Sequence, residues 1–284
     1  MTLAEAEEYT RTLAHTHYEN FPVVTKLLPR DLRQPFYNVY AFCRWADDLG
    51  DEVESSEESL SLLAWWRSGL EDCLNNRAQH PVYVALGHTI RQRNVPPDLF
   101  HDLISAFERD QRQTRYETFA DLQSYCVQSA NPVGRILLHL AEAANDETLR
   151  LSDDVCTGLQ LINFWQDVHR DLQIGRVYLP QEDLNRYGVN ESDLAHGRST
   201  PAFQRLLAFQ VDRAEQLLLS GGPLGQRVPR NIRFDIRLFA LGGLHLCDKI
   251  RQIDYRVLEQ RPKLSKADLL SLAWKATTGT GFRK

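Results

Sequence analysis

The 284-residue sequence predicts an all-α protein, and three observations carry that reading. Apolar residues recur at helical spacings almost throughout. Strand-like alternation bounded by hairpin dipeptides is absent. The breakers fall between the periodic segments: Pro29, Pro81, Pro96-Pro97, Pro180, Gly197 to Pro201 and Gly221-Gly222-Pro223.

The elements follow in order. Residues 44–52, Arg-Trp-Ala-Asp-Asp-Leu-Gly-Asp-Glu, set Arg44, Asp47, Asp48 and Asp51 within about 100° of one helix surface. Residues 57–79 carry Leu60, Leu63, Ala64, Trp66, Leu70 and Leu74 at mostly helical spacing. The stretch 121–142 is also helical in pattern, but Asn131-Pro132 interrupts it and predicts a kink. In 151–172, Gln160, Asn163, Asp167 and Asp171 share a stripe about 80° wide. Residues 202–220 and 232–260 complete the set. No long flexible linker and no repeat interrupts the chain, which reads as one all-α domain, 1–284, of about ten helices.

Composition narrows the function classes. Hydrophobic residues make up 43% and charged residues 25%, which fits a soluble globular protein and argues against disorder. The net charge is −5 with no basic stripe, so nucleic acid is not expected as a partner. Five scattered cysteines form no CxxC pair, which argues against zinc and disulfides and for a reducing, cytoplasmic setting. The acidic N-terminus is unlike a signal peptide, and no apolar run is long enough to span a membrane. Peripheral membrane contact is left open.

The two acidic stripes carry the chemistry. Carboxylates repeated one turn apart repel on an isolated helix, so something should offset them. Mg²⁺ takes oxygen ligands, usually one or two carboxylates plus substrate phosphates. Asp47 and Asp51 can approach ions from one side, with Asp48 completing the cluster or holding metal-bound water. Arg44 either meets phosphate oxygens or pairs with Asp48. A solvated acidic face is the alternative for the first stripe alone. The second stripe is thin and set among Leu159, Leu161, Ile162, Phe164 and Trp165, so its helix should be buried on several sides. Buried carboxylates need metal ions or an arginine network. Two such faces turned toward each other would suit Mg²⁺ and a diphosphate, although Asp51 and Asp167 are 116 residues apart. The segment Gly175-Arg176-Val177-Tyr178 is either a lid, with Arg176 on diphosphate and Tyr178 on a hydrocarbon wall, or an ordinary helix exit. No P-loop, GxSxG or strand-linked GxGxxG is present.

With these motifs in place, the chain resembles the squalene/phytoene synthase family of head-to-head isoprenyl diphosphate synthases over nearly its whole length. The resemblance rests on 37–44 leading into Asp47-Asp48-Leu49-Gly50-Asp51, on 125–134, and on 160–178. It implies a single-domain isoprenoid-synthase fold. It implies Mg²⁺ held by Asp47, Asp48 and Asp51 on one wall and Asn163, Asp167 and Asp171 on the other. Arg44, Gln160, Arg176 and Arg261 match diphosphate or metal-water positions, and Tyr40, Tyr125 and Tyr178 match aromatic positions near the reacting group. Residues 19–23, 129–134 and 163–168 are similar to bacterial hydroxysqualene synthases of hopanoid pathways. Asn20 and Gln166 stand where phytoene and dehydrosqualene synthases have a serine and an arginine, and a late tyrosine is missing near Gly243. These departures favour conversion of presqualene diphosphate to hydroxysqualene over the two-substrate condensation. Partner enzymes would then supply presqualene diphosphate and reduce the product. Asn131 is the candidate for positioning the capturing water. The other readings are a prenyl transferase making squalene, dehydrosqualene or phytoene, and a non-catalytic relative.

Overall fold

The computed structural model describes residues 1–16, 28–53 and 55–282. Every regular element among them is a helix. In chain order these are α1 (Leu3–Thr16), α2 (Arg30–Asp51), α3 (Ser56–Leu74), α4 (Pro81–Arg93), α5 (Asp98–Asp110), α6 (Phe119–Ser129), α7 (Asn131–Leu140), α8 (Asp146–Gln173), α9 (Gln181–Tyr187), α10 (Glu191–Ala195), α11 (Pro201–Gly221), α12 (Leu224–Arg227), α13 (Arg230–Gln252) and α14 (Lys266–Thr278). The described residues thus hold fourteen helices rather than about ten. Three of them, α9, α10 and α12, are too short to leave a periodic signal. The chain divides into two compact units, Met1–Arg112 with Pro132–Asn145, and Gln113–Asn131 with Asp146–Lys284.

In the first unit, α2 packs against α1, α3, α4 and α5. Phe42 and Trp66 are fully buried and stack at 5.8 Å, and Phe100 meets the Phe42 ring edge-on at 5.3 Å. Beside them lies a buried polar joint. Asn38 Oδ1 accepts from Thr10 Oγ1 (2.6 Å) and Gln34 Nε2 (2.9 Å), while its Nδ2 donates to Thr89 Oγ1 (3.0 Å). Because the buried amide is satisfied, it fixes the rotation of α2 without a desolvation penalty. The stripe of Tyr40, Arg44, Asp47 and Asp51 is thereby turned away from the packed face. At the end of α2, Gln111 Nε2 caps the Gly50 carbonyl (2.9 Å) and Ser59 Oγ caps that of Leu49 (2.9 Å).

In the second unit the 28-residue α8 packs against α6, α11 and α13. Leu151, Val155, Leu161, Ile162, Phe164, Trp165 and Val168 are all buried, so α8 is enclosed on several sides, as its thin polar stripe predicts. Gly243 of α13 makes this packing close. A Cβ there would lie 2.8 Å from Leu159 Cδ2 and 2.9 Å from Leu218 Cδ1.

Two expectations are corrected. The 121–142 stretch is broken, not kinked: α6 ends at Ser129, Ala130 follows, and Pro132 occupies the first turn of α7, where no N–H is needed. The 232–260 helix stops at Gln252, because Asp254 and Tyr255 are both left-handed (φ 55° and 57°) and Tyr255 N–H closes onto Ile250 O. No glycine or proline marks that stop. Helix α14 starts from a capping box, in which Ser265 and Asp268 satisfy each other's backbone N–H, and ends at left-handed Gly279.

Candidate active site

Both acidic sets lie at helix C-termini. Asp47, Asp48 and Asp51 occupy the last two turns of α2, and no basic residue stands in its final turn. Asp167 and Asp171 fall within the last seven residues of α8. A helix C-terminus carries partial negative charge, so carboxylates there are destabilising. Each set is thus a concentration of negative charge that a cation would relieve.

On α2, Arg44 is engaged by carboxylates of its own helix. It pairs with Asp48, and it donates to Asp47 Oδ2 (3.2 Å) and to Glu52 Oε1 (3.0 Å). This is the local pairing that the spacing allowed. Partial burial, then the neighbouring Asp51 charge, raises the Asp47 carboxyl above the usual range. Tyr40 is half-buried one turn upstream on the same stripe.

On α8, Asn163 is exposed and Gln160 is half-buried. Arg261 grips Asp167 with two donors, Nε to Oδ1 and Nη2 to Oδ2 (3.0 Å). Burial, then the Asp167 charge, pushes the Asp171 carboxyl up to about 7, against the opposing pull of Arg176, Arg170 and Arg261. Beyond Asp171 the chain turns at Gly175 (φ 78°), a backbone conformation suited to glycine. The Arg176 N–H then closes onto Asp171 O (2.8 Å). The candidate lid is tied down at several points. Val177 N–H donates to Thr114 O (2.9 Å), and Arg115 Nη1 donates to Gly175 O (2.6 Å) while its other nitrogens pair with Glu191. Tyr178 is buried and stacks on Phe164 at 3.7 Å and 10°. Tyr125 lies 6.1 Å from Tyr178 and 6.2 Å from Phe164, and Tyr116 stacks on Tyr178 at 5.8 Å. A small cavity joins Asp171 and Arg176 to this ring cluster through Phe164, Val168, Val177, Tyr178 and Leu179.

The structure therefore brings Tyr125 and Tyr178 together, and Asp167, Asp171, Arg176 and Arg261 around the end of α8. Asn131 is buried and accepts from Thr157 Oγ1 of α8 (2.9 Å). Gln166 is also buried, and its Nε2 donates to the Pro262 carbonyl (2.6 Å), so it holds the loop that carries Arg261. Gly243 leaves no room for a larger side chain. Asn20 lies outside the described residues. Sequence reasoning missed Tyr116 and Arg115, which lie in an irregular segment with no motif around them. It also missed that the first acidic set ends its helix, whereas the 151–172 period and the exit at Gly175 had already put the second at a helix end.

Among the described residues, no three His, Cys, Asp or Glu side chains converge into a ready-made metal centre. No helix among them is long and apolar enough to cross a membrane.

Residues 14–268 match the family model described as squalene/phytoene synthase. A hydroxysqualene synthase of Rhodopseudomonas palustris is 35% identical over 87% of this chain and 82% of its own. A phytoene synthase of Arthrospira platensis is 28% identical over 96% of this chain and 93% of its own. Among solved structures, the squalene synthase HpnC of Alicyclobacillus acidocaldarius superposes with a TM-score of 0.86 and 41% identity, covering 89% of this chain and 95% of that one. A dehydrosqualene synthase solved with a ligand gives 0.87 at 24% identity, covering 98% and 97%, and so bears on fold alone. The all-α architecture is the isoprenoid-synthase fold, and the match extends through both carboxylate-bearing helices. The chain belongs to the squalene/phytoene synthase family, enzymes of head-to-head prenyl transfer.

Proposed function

We propose that this chain, acting as one catalytic domain over 1–284, converts presqualene diphosphate and water to hydroxysqualene and diphosphate, with Mg²⁺ as its cofactor. The observation that carries the proposal is the pair of carboxylate-crowded helix C-termini in a chain 35% identical to a hydroxysqualene synthase. Asp47, Asp48 and Asp51 would hold Mg²⁺ on α2, and Asn163, Asp167 and Asp171 on α8. When bound, Mg²⁺ supplies charge neutralisation for the departing diphosphate.

The chain's own residues then divide the work. Arg44, Gln160, Arg176 and Arg261 donate to phosphate oxygens, Arg44 and Arg261 by exchanging a carboxylate for a phosphate oxygen. The C–O bond breaks with both electrons leaving on diphosphate, and a cyclopropylcarbinyl cation remains. The ring faces of Tyr40, Tyr125 and Tyr178 favour that cation electrostatically. It rearranges to an allylic cation, water adds through oxygen, and the proton lost from that oxygen balances the diphosphate. Asn131 orients the water. In cells, a prenyl-condensing enzyme would supply the substrate and a reductase would consume the alcohol, in a cytoplasmic route to squalene and hopanoids.

The second reading, a two-substrate condensation from farnesyl or geranylgeranyl diphosphate, is favoured by the likeness to phytoene synthases. Purified protein given each prenyl diphosphate with Mg²⁺, with and without NADPH, separates the two by mass spectrometry of the products. Hydroxysqualene from presqualene diphosphate without NADPH is expected. Squalene, dehydrosqualene or phytoene formed by this protein alone would replace the first reading with the second.

A further inference from the structure

Helix α14 has one face in the protein and another that none of the described residues covers. Leu272 and Ala276 are buried against Leu241, with Leu264 and Phe282 packed beside them. On the opposite side, Lys266, Ala267, Leu270, Trp274 and Thr277 fall within about 100° of one another. Leu270 is 75% and Trp274 71% exposed, with Leu269 at the margin. A tryptophan and a leucine one turn apart, held outward by an anchored helix, cost solvation unless something apolar meets them.

Charge indicates what meets them. Residues 261–284 contain six Lys or Arg and a single acid, Asp268. This segment therefore carries +5, in a chain whose net charge of −5 leaves −10 on the remainder. Asp268 does not oppose that charge outwardly, because Lys249 Nζ (2.8 Å) and His245 Nε2 (3.0 Å) hold it on the inner face. Lys263 and Lys266 are exposed. An apolar face with an aromatic ring, rimmed by lysines on an otherwise acidic protein, matches a helix lying in the interface of an anionic bilayer.

We infer that α14 docks the protein on an anionic lipid surface, with Leu270 and Trp274 inserted below the headgroups and Lys263 and Lys266 on the phosphates. No residue assigned to the catalytic site lies on α14, so this inference stands or falls independently of the substrate.

Co-sedimentation of the full chain with vesicles of equimolar phosphatidylcholine and phosphatidylglycerol, and with phosphatidylcholine vesicles alone, tests it. Binding to the anionic vesicles that weakens with salt is expected, together with a blue shift of tryptophan emission that Trp274→Phe removes. The double variant Leu270→Ser/Trp274→Ser, and separately Lys263→Glu/Lys266→Glu, should each lower the partition coefficient by about tenfold or more, with unchanged circular dichroism. Failure of the unaltered chain to bind anionic vesicles would overturn the inference, as would equal binding by both double variants. A self-associating chain that Leu270→Ser/Trp274→Ser renders monomeric, with no vesicle binding, would overturn it in favour of a second copy as the occupant.

Discussion

Arg261 illustrates how a single residue ties distant sequence to the site. It lies 94 residues from Asp167 and meets it with two donors. Gln166, beside Asp167, reaches the carbonyl of Pro262, beside Arg261. The two bonds make a double clasp between the end of α8 and the loop after α13. Gln166→Leu would leave a buried carbonyl unsatisfied at a cost of about 1–3 kcal/mol. The account predicts that this variant folds, loses about tenfold in kcat/KM, and loses more affinity for inorganic diphosphate than for Mg²⁺; titration calorimetry separates the two. The resemblance singled out Gln166, but its contact with Pro262 was not legible, because nothing in the spacing says which way a buried amide points. Asp235 is a second case. It is 2% exposed, its Oδ1 has no hydrogen-bond partner among the described residues, and burial pushes its carboxyl up to about 6. The ordinary value is about 3.9. Between the two values the folded protein holds a proton that the unfolded chain releases, so this group's effect favours folding as pH falls through that window and opposes it above. Asp235→Asn should raise Tm by about 2–6 °C at pH 8 and have little effect near pH 4, measured by scanning calorimetry.

At the scale of elements, α2 and α8 each end in charges that their own dipoles disfavour. Asp47→Asn and Asp51→Asn should each stabilise the metal-free protein by about 0.3–1 kcal/mol. The same variants should lower kcat by about a hundredfold or more if these carboxylates serve the departing diphosphate. Chemical denaturation in EDTA, paired with turnover in Mg²⁺, checks both halves; a variant that lost stability and kept activity would count against the account. Helix identity was legible wherever a long apolar period existed, as in α3, α8 and α11. It failed where local backbone decided, at the left-handed pair Asp254 and Tyr255 and in the short helices α9, α10 and α12. The capping box at Ser265 was present in the sequence, and it opens a helix that the apolar pattern alone did not reveal. Gly243 shows an element-scale limit on redesign. Gly243→Tyr must displace Leu159 and Leu218, and overpacking of this kind costs about 1–3 kcal/mol or more. A lower Tm with no new condensation product is the expected result.

For the whole molecule, the family was legible because two carboxylate motifs and the glycine-turned segment after the second fall at fixed places along the entire chain. The proposed reaction within the family was less so, because the side chains it turns on are held by contacts that no spacing encodes: Asn131 is buried on Thr157, and Gln166 is bonded to Pro262. If both acidic helix ends serve one metal–diphosphate complex, Mg²⁺ and inorganic diphosphate together should raise Tm by more than the sum of their separate effects. The most direct measurement of the central claim is oxygen incorporation. Presqualene diphosphate incubated with the protein and Mg²⁺ in ¹⁸O-labelled water, without NADPH, should yield hydroxysqualene that carries the label. An unlabelled alcohol, or a hydrocarbon formed by the protein alone, would contradict it.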